Sequence, residues 1–173
     1  MDADTRTIID DETLPPPFGD VIDYWRARRE GDWAPPLSRF ALYELPPPIL
    51  PWSIVADVIG DGADFHYRFW GTERVHLINA EMTGKRCSEI ANPHMRDANL
   101  REYRTVFDAR VPQLCRTPVV TGSGRDAVFQ SLRLPLAAAP GSQAMGHIYS
   151  AMNYLQVTPI HYEFYGTRPR VAR

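Results

Sequence analysis

Five histidines (His66, His76, His94, His147 and His161) and two cysteines (Cys87 and Cys115) are the side chains in this chain best suited to metal or nucleophilic chemistry. No two of the histidines share the helical or loop spacing of a zinc site, and the cysteines lie far apart without metal-ligand spacing, so no metal centre is expected. Asp57, Glu81 and Asp126 are scattered acids with no paired spacing for general acid–base work. Ser123, between Gly122 and Gly124, reads as a hairpin tip, not as the strand–turn–helix elbow of a serine hydrolase. The same Gly122-Ser123-Gly124 lies between two strands and opens no helix, which removes a phosphate-binding loop. One catalytic reading stays open: a small α+β-cone enzyme, isomerase- or hydratase-like, in which His76, His147 or Asp57 serves as a buried acid or base.

The elements that must position these residues follow from periodicity and punctuation. Residues 1–19 carry Pro15-Pro16-Pro17 and little to bury, and read as a flexible leader. Asp20 caps a helix whose Val21, Ile22 and Trp25 share one side and whose end meets Gly31. The span from Pro35 to Pro51 is too proline-rich for long regular structure. Trp52–Ile59 and Phe65–Trp70 form a hairpin about Gly60-Asp61-Gly62-Ala63-Asp64. Strict alternation puts Phe65, Tyr67 and Phe69 on one fully aromatic face, and a four-residue turn sets Asp57 opposite Arg68. Gly71 stops the second strand, and Thr72 caps a short helix bearing Val75, Leu77 and Ile78. Asn92 caps and Pro93 opens a long helix that runs to about Arg110. Leu100, Tyr103, Val106 and Phe107 are its apolar stripe, with Arg96, Arg101, Glu102, Arg104 and Asp108 on its solvated side. Strands follow at Gln113–Val120, Asp126–Ala137 and Gln143–Asn153, and their short turns make them antiparallel neighbours. The expected architecture is α+β: a five-stranded antiparallel sheet with helices on one face.

The segment from Phe65 to Ile90, FHYRFWGTERVHLINAEMTGKRCSEI, resembles the PAS domain family, in particular small bacterial stand-alone PAS proteins. Tyr67-Arg68, Gly71-Thr72 and Thr83-Gly84 stand at the family's spacing. Asp23-Tyr24-Trp25, Leu50-Pro51 and Val111-Pro112 add to the match, while Ala41-Leu42-Tyr43-Glu44 replaces the family's usual Asp-Pro pair. The resemblance spans roughly residues 20–155 and leaves 156–173 as a C-terminal tail. It implies a non-catalytic sensory or regulatory module that binds a small organic ligand, a protein partner or both, and signals in trans. By analogy with PAS dimers, the N-terminal helix implies a possible homodimer.

Two readings fit the aromatic side chains Tyr67, Phe69, Tyr103, Phe107 and Phe129, together with Trp52 and Tyr149: a packed core, or the wall of a ligand cavity. His76, His147, Arg68 and Arg133 are candidates for its polar anchors, each interrupting an apolar segment. Arg133, between Leu132 and Leu134, is expected on an exposed sheet face. Haem is not expected, because the long helix holds no histidine after His94 in its first turn. Flavin photochemistry is not expected either, because Cys87 follows Gly-Lys-Arg rather than sitting in an Asn-Cys-Arg-Phe-Leu-like setting.

Composition narrows the class further. A chain of 173 residues, 44% hydrophobic and 23% charged, is one domain able to bury its own core. A net charge of −2 makes no electrostatic case for nucleic acid. No apolar run approaches the roughly 18 residues of a membrane span, and the acidic N-terminus has no signal-peptide core, so a cytoplasmic protein with reduced thiols is expected.

Overall fold

One antiparallel sheet organises the chain. The computed structural model describes residues 4–7, 13–120 and 126–157. Its strands are β1 (Asp4–Thr7), β2 (Ser53–Ile59), β3 (Asp64–Trp70), β4 (Gln113–Val120), β5 (Asp126–Ala137) and β6 (Met145–Met152). In space they run β1-β4-β5-β6-β2-β3. The five expected strands are all present, each paired antiparallel. Residues 4–7, placed by sequence in the leader, instead add a sixth strand, with Asp4 opposite Arg116 and Thr7 opposite Gln113. So short a segment carries no periodicity of its own; the otherwise unpaired edge of β4 supplies its partners. The Gly122–Gly124 tip and the tail beyond residue 157 lie outside the described residues.

Helices α2 (Thr72–Ile78) and α3 (Pro93–Ala109) gather on one face of the sheet, over Ile54, Ala56, Phe65, Tyr67, Trp70 and Ile148. They make the cup. The Asn92 side chain accepts from the Met95 amide at 3.1 Å, Pro93 takes the first helical position, and Arg110 closes α3 in the left-handed region. Gly71, not Thr72, holds the cap position of α2. A Cβ there would stand 2.2 Å from the Pro51 carbonyl oxygen, so the crossing of β3 with the preceding turn requires glycine.

Helix α1 (Phe18–Ala27) lies on the opposite face, with Phe18, Val21, Ile22 and Trp25 against Val55, Leu132, Leu134, Leu136 and Tyr149. The Trp25 indole donates to the Pro135 carbonyl at 2.8 Å. Ten residues make a marginal helix in water. Four large apolar side chains, each contributing about 1.5–3 kcal/mol on burial, hold it in place. Its cap is Pro17 rather than Asp20, which sits in the first turn beside the positive helix end. The apolar stripe that the sequence offered to a homodimer is therefore committed to the chain's own sheet. The proline-rich span folds as three short 3-10 segments, Leu37–Arg39, Leu42–Glu44 and Pro47–Trp52, and Phe40, Leu45 and Ile49 are buried in the same layer.

Trp33, just past α1, packs against the cores of both faces. Its indole donates to the Ser142 carbonyl at 2.8 Å, and the Arg110 guanidinium stacks 4.0 Å from its ring centroid. The two layers thus meet around the end of the sheet as well as through it.

Candidate functional site

A bulge decides which hairpin residues reach the cup. Ile54 pairs with Trp70 and Val55 with Phe69, but Ala56 pairs with Tyr67, leaving Arg68 as an extra residue in β3. Phe69 consequently turns to the α1 side and Trp70 to the cup. The continuous aromatic face Phe65–Tyr67–Phe69 expected from strict alternation does not form.

The floor of the cup has two halves. β2 and β3 supply Ile54, Ala56, Phe65, Tyr67 and Trp70. β4, β5 and β6 supply the buried polar side chains Gln113, Ser131, Arg133 and Ser150. Above them α3 presents Asn99, Glu102, Tyr103 and Val106, one helical stripe at i, i+3, i+4 and i+7. Tyr103 joins the halves: its ring stacks on Phe65 at 4.9 Å, lies 6.2 Å from Tyr67, and carries the Arg133 guanidinium 4.1 Å from its centroid.

Arg133 corrects the sequence reading outright. It is 2% exposed and points under α3, not into solvent. Its Nε and Nη2 donate to Glu102 Oε2 at 3.0 and 2.6 Å, its Nη1 to Ser150 Oγ at 3.0 Å, and its Nη2 also to Asn99 Oδ1 at 2.8 Å. The other carboxylate oxygen of Glu102 accepts from the Thr117 hydroxyl. Burial opposes the charge on Arg133, yet the Glu102 carboxylate outweighs it and holds the guanidinium more firmly protonated than a free arginine. Each charge is paired and hydrogen-bonded, the condition under which a buried ion pair is tolerated.

The aromatic half is less complete. Tyr67 is fully buried and Trp70 nearly so, their rings meeting edge to face at 4.6 Å. Among the described residues the Trp70 indole N–H has no hydrogen-bond partner, and the Tyr67 hydroxyl has none but the Cys87 thiol. Cys87 is a polar neighbour of the phenol, but a thiol is a weak acceptor. Burial, with Tyr103 and Cys87 nearby, holds the Tyr67 phenol well above its ordinary pKa. Burial likewise pushes the Cys87 thiol up to about 11, so near neutrality it is an uncharged thiol and a poor nucleophile. Arg74, on α2, stacks 5.4 Å from the Trp70 ring and reaches Met152 Sδ at 3.3 Å.

Of the other candidates, Phe129 packs at the α2 end of the cup with Trp52, Leu77 and Met152. Phe107 lines a cleft of about 460 Å³ at the rim with Val58, Gly60, Asp61, Arg110, Ala144 and Met145. His76 is exposed on α2. His147 lies on the α1 side of the sheet, where Asp57 stands opposite both His147 and His66. Asp57 Oδ1 accepts from Arg68 Nε at 2.8 Å and lies 2.8 Å from His147 Nδ1, with His66 Nδ1 3.4 Å from Oδ2. The expected Asp57–Arg68 pair thus exists, reached diagonally because the turn register sets Asp57 opposite His66. Partial burial raises the Asp57 pKa, but Arg68 and His147 more than reverse this and leave it below the usual carboxylate value. Tyr67 and Tyr103 are the predicted site residues that the fold brings into contact in the cup.

The sequence reading missed Trp70, Asn99, Glu102 and Ser150. A signal existed for α3: Asn99, Glu102, Tyr103 and Val106 share helical spacing, but two polar members made the adjacent stripe look more apolar. Among the described residues no group of histidine, cysteine or carboxylate side chains is placed to hold a metal, and no helix is long and apolar enough to cross a membrane.

Comparison with known proteins gives the family. Five solved chains match. An RNA-binding light-oxygen-voltage receptor is 14% identical with a TM-score of 0.46, over 94% of this chain and 41% of its own. A fungal LOV-domain photoreceptor is 19% identical with a TM-score of 0.40, over 58% of this chain and 71% of its own. The chain therefore spans less than half the length of the first. Light sensing and RNA binding are said of those proteins alone. Comparison with the curated proteins finds no match. The family model of the PAS domain matches residues 15–149, and with that match over most of its length the chain belongs to the PAS domain family.

Proposed function

We propose that this chain is a non-catalytic cytoplasmic sensory module whose cup takes a small organic ligand and which passes the change to a separate signalling protein. Membership of the PAS family supports the sensory role. The ligand half of the reading rests on one observation: two buried donors on adjoining rings, Trp70 Nε1 without a partner and Tyr67 Oη with only the weakly accepting Cys87 thiol. An unsatisfied buried polar group costs about 1–3 kcal/mol, and a bound acceptor would remove that cost. The partner is read as protein rather than nucleic acid, given the net charge of −2. Self-association through α1 would have to use its polar outer side, Asp20 and Asp23, since the apolar side is docked.

Native mass spectrometry of the purified chain tests the ligand. A co-purifying molecule released on denaturation is the expected result; a bare polypeptide that also binds no small molecule refutes it. A second reading, an acid–base enzyme, has one observation in its favour, the 2.8 Å contact of His147 with Asp57. That pair lies across the sheet from Tyr67 and Trp70. If His147→Gln abolished turnover of a co-purified molecule that still bound, the enzyme reading would replace the first.

A further inference from the structure

We infer that the cleft at the rim is a ligand site separate from the cup, and that it takes a small zwitterion of the α-amino-acid class with an apolar side chain, its carboxylate on Arg110 and its ammonium on Asp61. The site stands whether or not the cup holds a ligand. Three segments far apart in sequence enclose the cleft of about 460 Å³: the β2–β3 turn, the end of α3 and the start of β6. That volume lies within the range of small-molecule sites. Val58, Phe107 and Met145 join the core beneath α3 and make the inner wall apolar. Asp61 and Arg110 stand at the exposed margin, one acid and one base.

The two charges face one cleft without neutralising each other. Among the described residues no ion pair joins them, and the Asp61 carboxylate has no hydrogen-bond partner. The Arg110 guanidinium is fixed on one side only: Nη2 donates to the Gln143 carbonyl, and the group lies 4.0 Å from the Trp33 ring centroid. Its remaining N–H groups are free to meet a carboxylate, whose geometry the guanidinium fork matches. Arg110 also closes α3 at φ +58°, a place that glycine usually takes, so the position gains a side chain at the cost of backbone strain. Repulsion selects the ligand's charge. A plain anion on Arg110 would meet Asp61, and a plain cation on Asp61 would meet Arg110; a molecule carrying both charges meets neither penalty. Trp33 packs against the cores of both faces, so an occupant that grips Arg110 bears on the residue linking them.

Leucine, leucinamide and N-acetyl-leucine share an apolar side chain and differ in charge: zwitterion, cation and anion. Each is titrated into the full chain at about pH 6.5, where all three carry those charges. The Met145 methyl resonance, assigned with Met145→Leu, reports binding in the cleft. Leucine is expected to bind about tenfold more tightly than either analogue. Asp61→Asn, which keeps a residue suited to the left-handed region, should erase the preference over N-acetyl-leucine. Arg110→Gln should erase the preference over leucinamide, and each variant should weaken leucine about tenfold. An unchanged circular dichroism spectrum establishes that both variants fold, and the three probes on the parent chain test the charge rule without any substitution. Leucine binding no better than its analogues, or either variant binding leucine as the parent does, overturns the assignment. So does a Met145 methyl that no probe moves at roughly 10 mM. A ligand in the cup is decided separately, by the native mass spectrometry above.

Discussion

Replacing Glu102 with leucine tests the buried charge pair that fastens α3 to the sheet. The substitution keeps a side chain of similar volume but strands the Arg133 guanidinium, 2% exposed, against Ser150 and Asn99 alone. Breaking a buried ion pair from one side costs about 3–5 kcal/mol, because the remaining charge stays desolvated and uncompensated. For a chain of 173 residues each kcal/mol moves the melting temperature by about 2–4 °C, so Glu102→Leu should lower it by roughly 6–20 °C. Glu102→Gln keeps an accepting oxygen and should fall at the low end of that range. The double variant Glu102→Leu/Arg133→Met removes both charges at nearly constant volume and should recover most of the loss. Differential scanning calorimetry on the four proteins decides. A loss below about 1 kcal/mol for Glu102→Leu would mean that the pair is solvated, as its place among α3's charged residues first suggested. A double variant no more stable than the single would assign the loss to packing instead of charge.

Other consequences can be measured on the same protein. Asp57 titrates below its usual value in the folded state, so its pairing stabilises above pH ~4 and is lost as pH falls through the lower folded pKa. Asp57→Asn should therefore cost under about 1 kcal/mol at pH 7, the group being partly exposed, and the difference should shrink as the pH falls below about 4; a difference that grows in acid would contradict this. Cys87, uncharged and buried, should react with iodoacetamide at pH 8 far more slowly in the native chain than in urea, and equal rates would refute its burial. At Gly62, φ is +78° and a Cβ would approach Phe107 Cδ1 to 2.6 Å. Gly62→Ala should cost about 1–3 kcal/mol in urea unfolding, and an unchanged midpoint would show that the β2–β3 turn relaxes freely.

The strands, the hairpin and the cap of α3 were legible because local rules govern them: alternation, Gly60–Gly62 at the turn, Asn92-Pro93 at the helix start. What remained hidden depends on how elements meet. No local signal marks the extra residue at Arg68, yet that slip alone moves Phe69 out of the cup and Trp70 into it. Arg133 reads as outward while its strand neighbours Leu132 and Leu134 are assumed to face the only covered side. With α1 behind the sheet, the apolar alternates pack there, and the arginine takes the opposite face, where Glu102 awaits it. Tyr67 and Tyr103 were found because both are large, apolar in body and in phase with their elements. Glu102 was not, because its partner lies 31 residues away along the chain.

Trp33 gives the molecule a hinge pin at its rim. A side chain gripped at once by the end of α3 and by the β5–β6 turn cannot swing when one of them shifts without dragging the segment that follows α1. Mechanical strain raised beneath α3 therefore has a direct route to the far side of the sheet, without any strand having to bend.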